Sequence, residues 1–202
     1  MKAAGSAGRP PISRRPLHVC VLALGLLGCM WSRSGLASDL AWHALRAGGA
    51  VAVLRHARAP GTGDPPAFKL GDCATQRNLS GEGREQARRI GAQFVANGVV
   101  VGRALSSEWC RCLETTRIAF AYPVEPFPPL NSFFANQDVG GTQTRAVQEL
   151  IDGWRSQPGV LVLVTHQVNI TALTGVFPDE GEVVVLKPKA PSGFDVVARL
   201  KP

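Results

Sequence analysis

The sequence predicts an α/β protein: a three-layer sandwich in which a largely parallel central sheet is flanked by helices. Short β-branched runs at Val51 to Arg55 and Val160 to Thr165 have the continuous apolar character of strands buried on both faces, and segments of helical period lie between them. The length of 202 residues, 45% of them hydrophobic, suffices for one domain with a substantial core.

Each element follows in turn. Gly48-Gly49 precedes the first run and His56 follows it directly. The stretch from Ala59 to Cys73 is rich in Gly and Pro and has no period, so it reads as a loop leaving the strand end. Ser80 is placed to cap a helix on which Ala87, Ile90, Gly91, Phe94 and Val95 keep helical spacing until Asn97-Gly98 stops it. A strand is expected near Val99 to Leu105, then a helix that begins around Ser107, holds Arg111 and ends at Tyr122-Pro123. Pro123, Pro126, Pro128 and Pro129 make the stretch from Pro123 to Gly141 a second loop. Val147, Leu150, Ile151 and Trp154 return to helical spacing, Pro158-Gly159 breaks it, and Val160 to Thr165 runs straight into His166. Glu182 to Leu186 and Phe194 to Leu200 close the domain as a strand pair around Pro191-Ser192-Gly193.

Residues 1–37 read as a signal peptide and 38–202 as the single folded domain. Arg14 and Arg15 run into an apolar segment from Val19 to Met30, and Gly35 and Ala37 stand where a signal peptidase reads small residues. An apolar core of about 12 residues falls short of the roughly 20 that span a bilayer, so no transmembrane span is expected. The localisation implied is periplasmic or secreted. Two variants of the route are written in the same segment: Ser13 to Leu17 (SRRPL) resembles a twin-arginine signal, and Leu26 to Cys29 (LLGC) a lipoprotein cleavage box that would anchor the chain through Cys29.

The formal charge of +7 suggests an anionic polymer or surface as partner until its location is considered. Lys2, Arg9, Arg14, Arg15 and Arg33 stand in the leader without an acid, which leaves 17 basic against 15 acidic residues, near +2. A nucleic-acid partner therefore has no support. Without the leader, Cys73, Cys110 and Cys112 remain, an odd number for an oxidising compartment. A disulfide from Cys73 to Cys110 or to Cys112 would tie down the long loop after His56. Cys110 and Cys112 have no second Cys/His pair at ligand spacing, so no metal site is expected.

Ligands of open α/β sheets bind beyond the carboxyl ends of the strands, so polar residues just past apolar strands carry the functional weight. Three such places occur: Arg55-His56, Ser106 to Arg111, and Thr165-His166. Outside the leader the chain has three histidines, His43, His56 and His166, and two of them stand at equivalent strand ends. Arg55 and Arg111 add planar, permanently charged donors suited to phosphate oxygens. Arg58, Thr165 and Gln167 flank these positions as further phosphate-binding or supporting donors.

The chain resembles the histidine phosphatase superfamily, which includes phosphoglycerate mutases and acid phosphatases. LRHA at Leu54 to Ala57 is similar to its LRHG signature, NLSGEGREQA at Asn78 to Ala87 to its helix opening, SSEWCRCLET at Ser106 to Thr115 to the segment bearing a second arginine, and LVLVTHQ at Leu161 to Gln167 to that bearing a second histidine. Order and spacing agree over residues 50–175. The resemblance implies hydrolysis of small phosphate monoesters through a phosphohistidine on His56, with Arg55, Arg111 and a protonated His166 holding the phosphoryl oxygens and with no metal or cofactor. Combined with the leader, it implies a phosphorylated cell-envelope sugar as substrate. Two departures stand out. Ala57 replaces a glycine, and Ser132 in LNSFF occupies the position where many members carry a glutamate that protonates the leaving group. A serine hydroxyl is a poor acid at neutral pH, which leaves Asp138 and Glu125 as loop carboxylates for the role. The alternative reading is a phosphate-binding or sensory module of the same fold that has lost turnover with its acid.

Overall fold

The computed structural model describes residues 37–201; residues 1–36, which hold nearly all of the expected leader and the candidate lipid-anchor position Cys29, lie outside the described residues. Helix α1 (residues 37–46) leads into β1 (Val51–Arg55), and a long loop with one 3-10 turn at Cys73–Thr75 reaches α2 (Gly81–Ala96). Then come β2 (Val101–Ser106), α3 (Cys110–Ala119), β3 (Val124–Pro126), α4 (Gly140–Gly153), β4 (Val160–Thr165), α5 (Gln167–Thr174), β5 (Val183–Pro188) and β6 (Phe194–Leu200). The six strands form one sheet in the order β3-β2-β4-β1-β5-β6. Pairings β3-β2, β2-β4 and β4-β1 are parallel, and β1-β5 and β5-β6 antiparallel.

Side-chain alternation sorts the strands between two cores, which makes the three layers. Ala52 and Leu54 of β1 pack with Val162 and Val164 of β4 against Trp42 and Leu45 of α1, Ile90 and Phe94 of α2, and Ala119 of α3. Val51, Val53, Leu161 and Leu163 face the other way, toward Val147 and Ile151 of α4 and Ile170 of α5. β4 is buried along its whole length between β1 and β2, which is why it reads as an unbroken apolar run. No helix among the described residues is long and apolar enough to cross a membrane.

Two helix placements matter for what lies at the sheet end. Ser80 caps α2, its hydroxyl accepting from Gly83 N–H at 3.0 Å. Gly83 sits so close to the backbone beyond β1 that a Cβ there would lie 2.1 Å from the Arg58 carbonyl oxygen. At the crossing of α2 and α3 a Cβ on Gly91 would lie 2.0 Å from the Ala119 carbonyl oxygen. α2 therefore approaches both the backbone beyond β1 and α3 at backbone distance.

Several boundaries differ from expectation for local reasons. α3 starts at Cys110 rather than near Ser107, because Ser107 N–H still extends the ladder, bonding Val164 O at 2.9 Å. The stretch 123–141, read as loop, contains β3 and two 3-10 turns. α1 and α5 carry no strong boundary signal and were not expected. Cys73 bridges to Cys110 across a separation of 37 residues, and among the described residues Cys112 is the free, buried thiol. Closing a loop of that size contributes about 4 kcal/mol in the chain-entropy account. Cys73→Ser should lower unfolding free energy in urea by about 3 to 4 kcal/mol; an unchanged midpoint and slope would show that the bridge stabilises nothing.

Candidate active site

β1 and β4 pair in parallel with Arg55 opposite Thr165, so the next residue on each strand is a histidine. His56 N–H continues the ladder by donating to Thr165 O at 2.9 Å. The two imidazoles meet edge to face with centroids 5.5 Å apart. α3 delivers Arg111 to the same place, buried with 2% of its surface exposed. Thr115 couples strand end to helix: its hydroxyl accepts from Ala57 N–H at 3.0 Å and donates to Arg111 O at 2.7 Å. Ala57 has no positive φ, and it is buried with Leu79 and Ala87, so the departure from glycine is accommodated as packing.

His56, His166 and Arg111 line a cleft of about 570 Å³ together with Arg55, Asp64, Arg77, Trp109, Ser132 and Gln167. One ring nitrogen of His56 is committed: Nδ1 lies 2.8 Å from Ala57 O. A carbonyl oxygen only accepts, so the proton is on Nδ1 and the Nε2 lone pair is free. Burial first, and the charge of Arg111 next, lower the His56 pKa from 6.5 to about 3. The ring is neutral throughout the physiological range.

His166 is neutral as well, its pKa well below the usual value through burial first and then through His56 and Arg111. Its Nε2 lies 2.8 Å from Ser107 Oγ, which donates to Asn131 Oδ1 at 3.2 Å, and its Nδ1 faces Arg111 Nη2 at 3.4 Å. Arginine only donates, so Nδ1 accepts and Nε2 carries the proton. Asn131 is thereby a supporting residue that sequence reasoning missed. Cys112 adjoins this network, 3.5 Å from His166 Nε2, but burial pushes its thiol up to about 12, so it is an inert neighbour.

Asp64 and Arg77 also went unseen. Arg111 grips the Asp64 carboxylate with both terminal nitrogens, Nη1 to Oδ1 at 2.6 Å and Nη2 to Oδ2 at 3.2 Å, and Trp109 Nε1 donates to Oδ2 at 2.9 Å. Burial alone would raise the Asp64 carboxyl; the bonds from Arg111 and Trp109 outweigh it and hold the pKa below the ordinary value. Arg77 Nε donates to Gly63 O at 2.8 Å, clasping the loop that carries Asp64. One signal was present in the sequence: Asp64 is one of two acids in the loop after His56.

The remaining candidates sort plainly. Gln167 lines the cleft and donates to Thr171 Oγ1 at 2.8 Å. Thr165 does not line it, because its hydroxyl is bound to Leu130 O at 2.5 Å. Arg58 is turned to solvent and paired with Glu82 at 2.9 Å. Glu125, on β3, is held by Arg103 Nη2 at 2.6 Å, and Asp138 sits exposed in a 3-10 turn; neither lines the cleft, which corrects both as candidate acids. Among the described residues no three His, Cys, Asp or Glu side chains gather as metal ligands would.

No family model and no curated protein sequence matches the chain. Solved structures do. The protein histidine phosphatase SixA complexed with tungstate superposes with a TM-score of 0.54 at 16% identity, over 76% of this chain and 97% of that one. A mycobacterial glucosyl-3-phosphoglycerate phosphatase complexed with VO3 gives 0.54 at 16% identity, over 73% and 97%. A phosphoserine phosphatase from Entamoeba histolytica, in complex with 3-phosphoglyceric acid, gives 0.55 at 11% identity, over 76% and 97%.

The neutrality of His56 has a consequence for stability. The unfolded chain protonates this histidine near pH 6.5, whereas the folded chain resists until about pH 3. Stability held above pH 6.5 is therefore lost as pH falls through that window. Urea titrations in phosphate-free buffer should show His56→Gln losing stability less steeply than wild type between pH 6 and 4, by up to about 1.4 kcal/mol per pH unit. Parallel curves would mean that the folded ring protonates normally.

Proposed function

We propose that this chain, which has the fold of the histidine phosphatase superfamily, is a phosphohydrolase that cleaves small phosphate monoesters through a phosphohistidine on His56. The observation that carries the reading is the state of that ring: buried, neutral, its Nδ1–H fixed on Ala57 O and its Nε2 free in a cleft lined by three guanidiniums. A nucleophile needs a lone pair at working pH, and a phosphoryl group needs positive charge placed in advance. Arg55, Arg77 and Arg111 against Asp64 leave the cleft near +2, which complements a phosphate ester dianion.

The chemistry then follows the geometry. Arg111 engages two phosphoryl oxygens in the fork it now offers a carboxylate, and Arg55, whose Nε is buried without a partner, has a donor in reserve. His56 Nε2 forms the bond to phosphorus as the ester oxygen departs; water then cleaves the phosphorus–nitrogen bond. Phosphoryl transfer depends mainly on positioning and charge stabilisation, which these residues supply. A phosphate dianion beside His166 favours protonation there, converting Nδ1 from acceptor to donor toward the phosphoryl oxygens. The apolar leader supports export, with a lipid anchor on Cys29 as the variant, and export supports a phosphorylated cell-envelope sugar as the physiological substrate.

Rapid-quench labelling tests the covalent step. Wild type should yield an acid-labile, base-stable phosphoenzyme with p-nitrophenyl phosphate, and His56→Ala should yield none while keeping its far-UV dichroism. Turnover surviving in His56→Ala without an adduct would remove the nucleophile from the mechanism. Arg111→Lys should lose at least about 10²–10³-fold in kcat/KM, since one ammonium cannot reproduce the two-pronged contact. A near-normal rate in that variant would place Arg111 outside the contact with phosphate.

A further inference from the structure

Hydrolysis of an alkyl phosphate requires a proton for the departing oxygen, and among the described residues one carboxylate lines the cleft, Asp64. We propose that Asp64 is the catalytic acid of the first step and the base of the second, released for this work when the phosphoryl group takes its place on Arg111. The inference rests on the phosphohydrolase reading above and adds to it the residue that moves the proton.

Three observations support it. First, Asp64 now holds the contact that a phosphoryl group would make: both terminal nitrogens of Arg111, at 2.6 and 3.2 Å. A carboxylate and a phosphoryl edge are alternative partners for the same fork, so one displaces the other over a short distance. Second, the displaced carboxylate stays at the cleft, because Trp109 Nε1 donates to Oδ2 at 2.9 Å and does not depend on Arg111. Trp109 is itself held edge to face against His166, centroids 5.4 Å apart, and stacked on Phe68 of the same loop at 5.0 Å. Third, the loop can make the adjustment: Gly61 and Gly63 precede Asp64 at φ +101° and +68°, and a Cβ on Gly63 would meet nothing within 4 Å.

The groups that face Asp64 are Arg111 and Trp109 from α3 and its lead-in, the Arg77 N–H at 3.4 Å from the segment before α2, and, through Arg111, His166 at the end of β4. Exchanging Arg111 for a phosphoryl neighbour replaces an attractive charge by a repulsive one, which favours the protonated carboxyl. The proton arrives with the substrate. A phosphate monoester has a second pKa near 6, so its monoanion is present at neutral pH; on binding, the phosphoryl oxygens take Arg111 and their proton passes to Asp64.

The reaction then balances. His56 Nε2 bonds to phosphorus, the phosphorus–oxygen bond breaks with its electron pair on the ester oxygen, and that oxygen takes the Asp64 proton and leaves as the alcohol. Water next adds to phosphorus while Asp64 accepts one of its protons. The phosphorus–nitrogen bond breaks with its pair returning to Nε2, and the Asp64 proton leaves on dihydrogen phosphate as the carboxylate returns to Arg111.

The test compares leaving groups. p-Nitrophenolate departs without protonation, whereas a simple alkoxide does not, so Asp64→Asn should lose kcat/KM, which reports the steps up to phosphoenzyme formation and not the hydrolysis shared by all esters, by about 10²–10⁴-fold on an alkyl phosphate and by at least tenfold less on p-nitrophenyl phosphate. The dependence of rate on leaving-group pKa should steepen accordingly. Equal loss on both esters, or no loss on either, would overturn the proposal and leave Asp64 as a structural partner of Arg111. Should Asp64→Asn fail to fold by far-UV dichroism, the same ratio in Asp64→Glu decides, since a retained carboxylate should keep alkyl turnover within about tenfold of the aryl change. Wild type that turns over neither ester and forms no phosphoenzyme would refute the phosphohydrolase reading itself and this inference with it, a result distinct from any ratio between variants.

Discussion

The ladder between β1 and β4 ends with Arg55 opposite Thr165, and the bond from His56 N–H to Thr165 O at 2.9 Å carries it one residue further. Everything in the cleft depends on that register. Side chains alternate along a strand, so a slip of one residue would turn Leu54 and Val164 out of the core they share with α2 and α3 and would separate the two imidazoles. The apolar alternation of the strands thus fixes the position of His56. β2 joins the same frame, since Ser107 N–H bonds Val164 O at 2.9 Å and leaves the Ser107 hydroxyl 2.8 Å from His166 Nε2.

Gathering three guanidiniums at one end of a sheet is costly, and the surroundings of each show how the cost is met. Arg111, nearly fully buried, is neutralised by Asp64. Arg55 donates to Pro178 O at 3.0 Å and has Glu180 at 3.8 Å. Arg77 is wrapped by the carbonyls of Gly63 and Ala59. The histidines meet the same field by staying neutral. Burial first, and the guanidiniums of Arg111, Arg77 and Arg55 after it, keep His56 unprotonated, so the charge gathered here and the neutrality of the ring are compatible, as the proposed nucleophilic role requires.

The residues legible in the sequence are those whose position follows from short-range pattern. His56 and His166 close apolar runs, and Arg55 lies one residue from the first, so a strand assignment was enough to place them. Arg111 was legible because a helix follows a strand end, even though that helix begins three residues later than expected. The loop residues were not legible for a physical reason. Asp64 and Arg77 reach the cleft, and Asn131 the Ser107 hydroxyl beside His166, through segments without period, and they have partners 47, 14 and 23 residues away in Arg111, Gly63 and Glu108. Nothing local separates Asp64, which lines the cleft, from Asp138, which is exposed in a turn; only the fold does. Glu125 misled in the same way, because β3 pairs beside β2 and offers it Arg103.

The disulfide limits what the loop after His56 can do. Cys73 is joined to Cys110, the residue before Arg111, and Cys110 N–H also donates to Gln76 Oε1 at 3.0 Å. The distal end of the loop is thereby fixed to the helix that presents the arginine, while its proximal end is fixed to β1. Phe68 stacks on Trp109 between these anchors. A loop held at both ends and in the middle cannot swing clear of the cleft as a lid would; the adjustment proposed for Asp64 is confined to the short stretch that follows Gly61 and Gly63. Exchange of a carboxylate for a phosphoryl group on Arg111 is then a local rearrangement, in which the acid is displaced by the ligand yet kept beside it. Oxidation of Cys73 and Cys110 to the disulfide is what makes that confinement permanent.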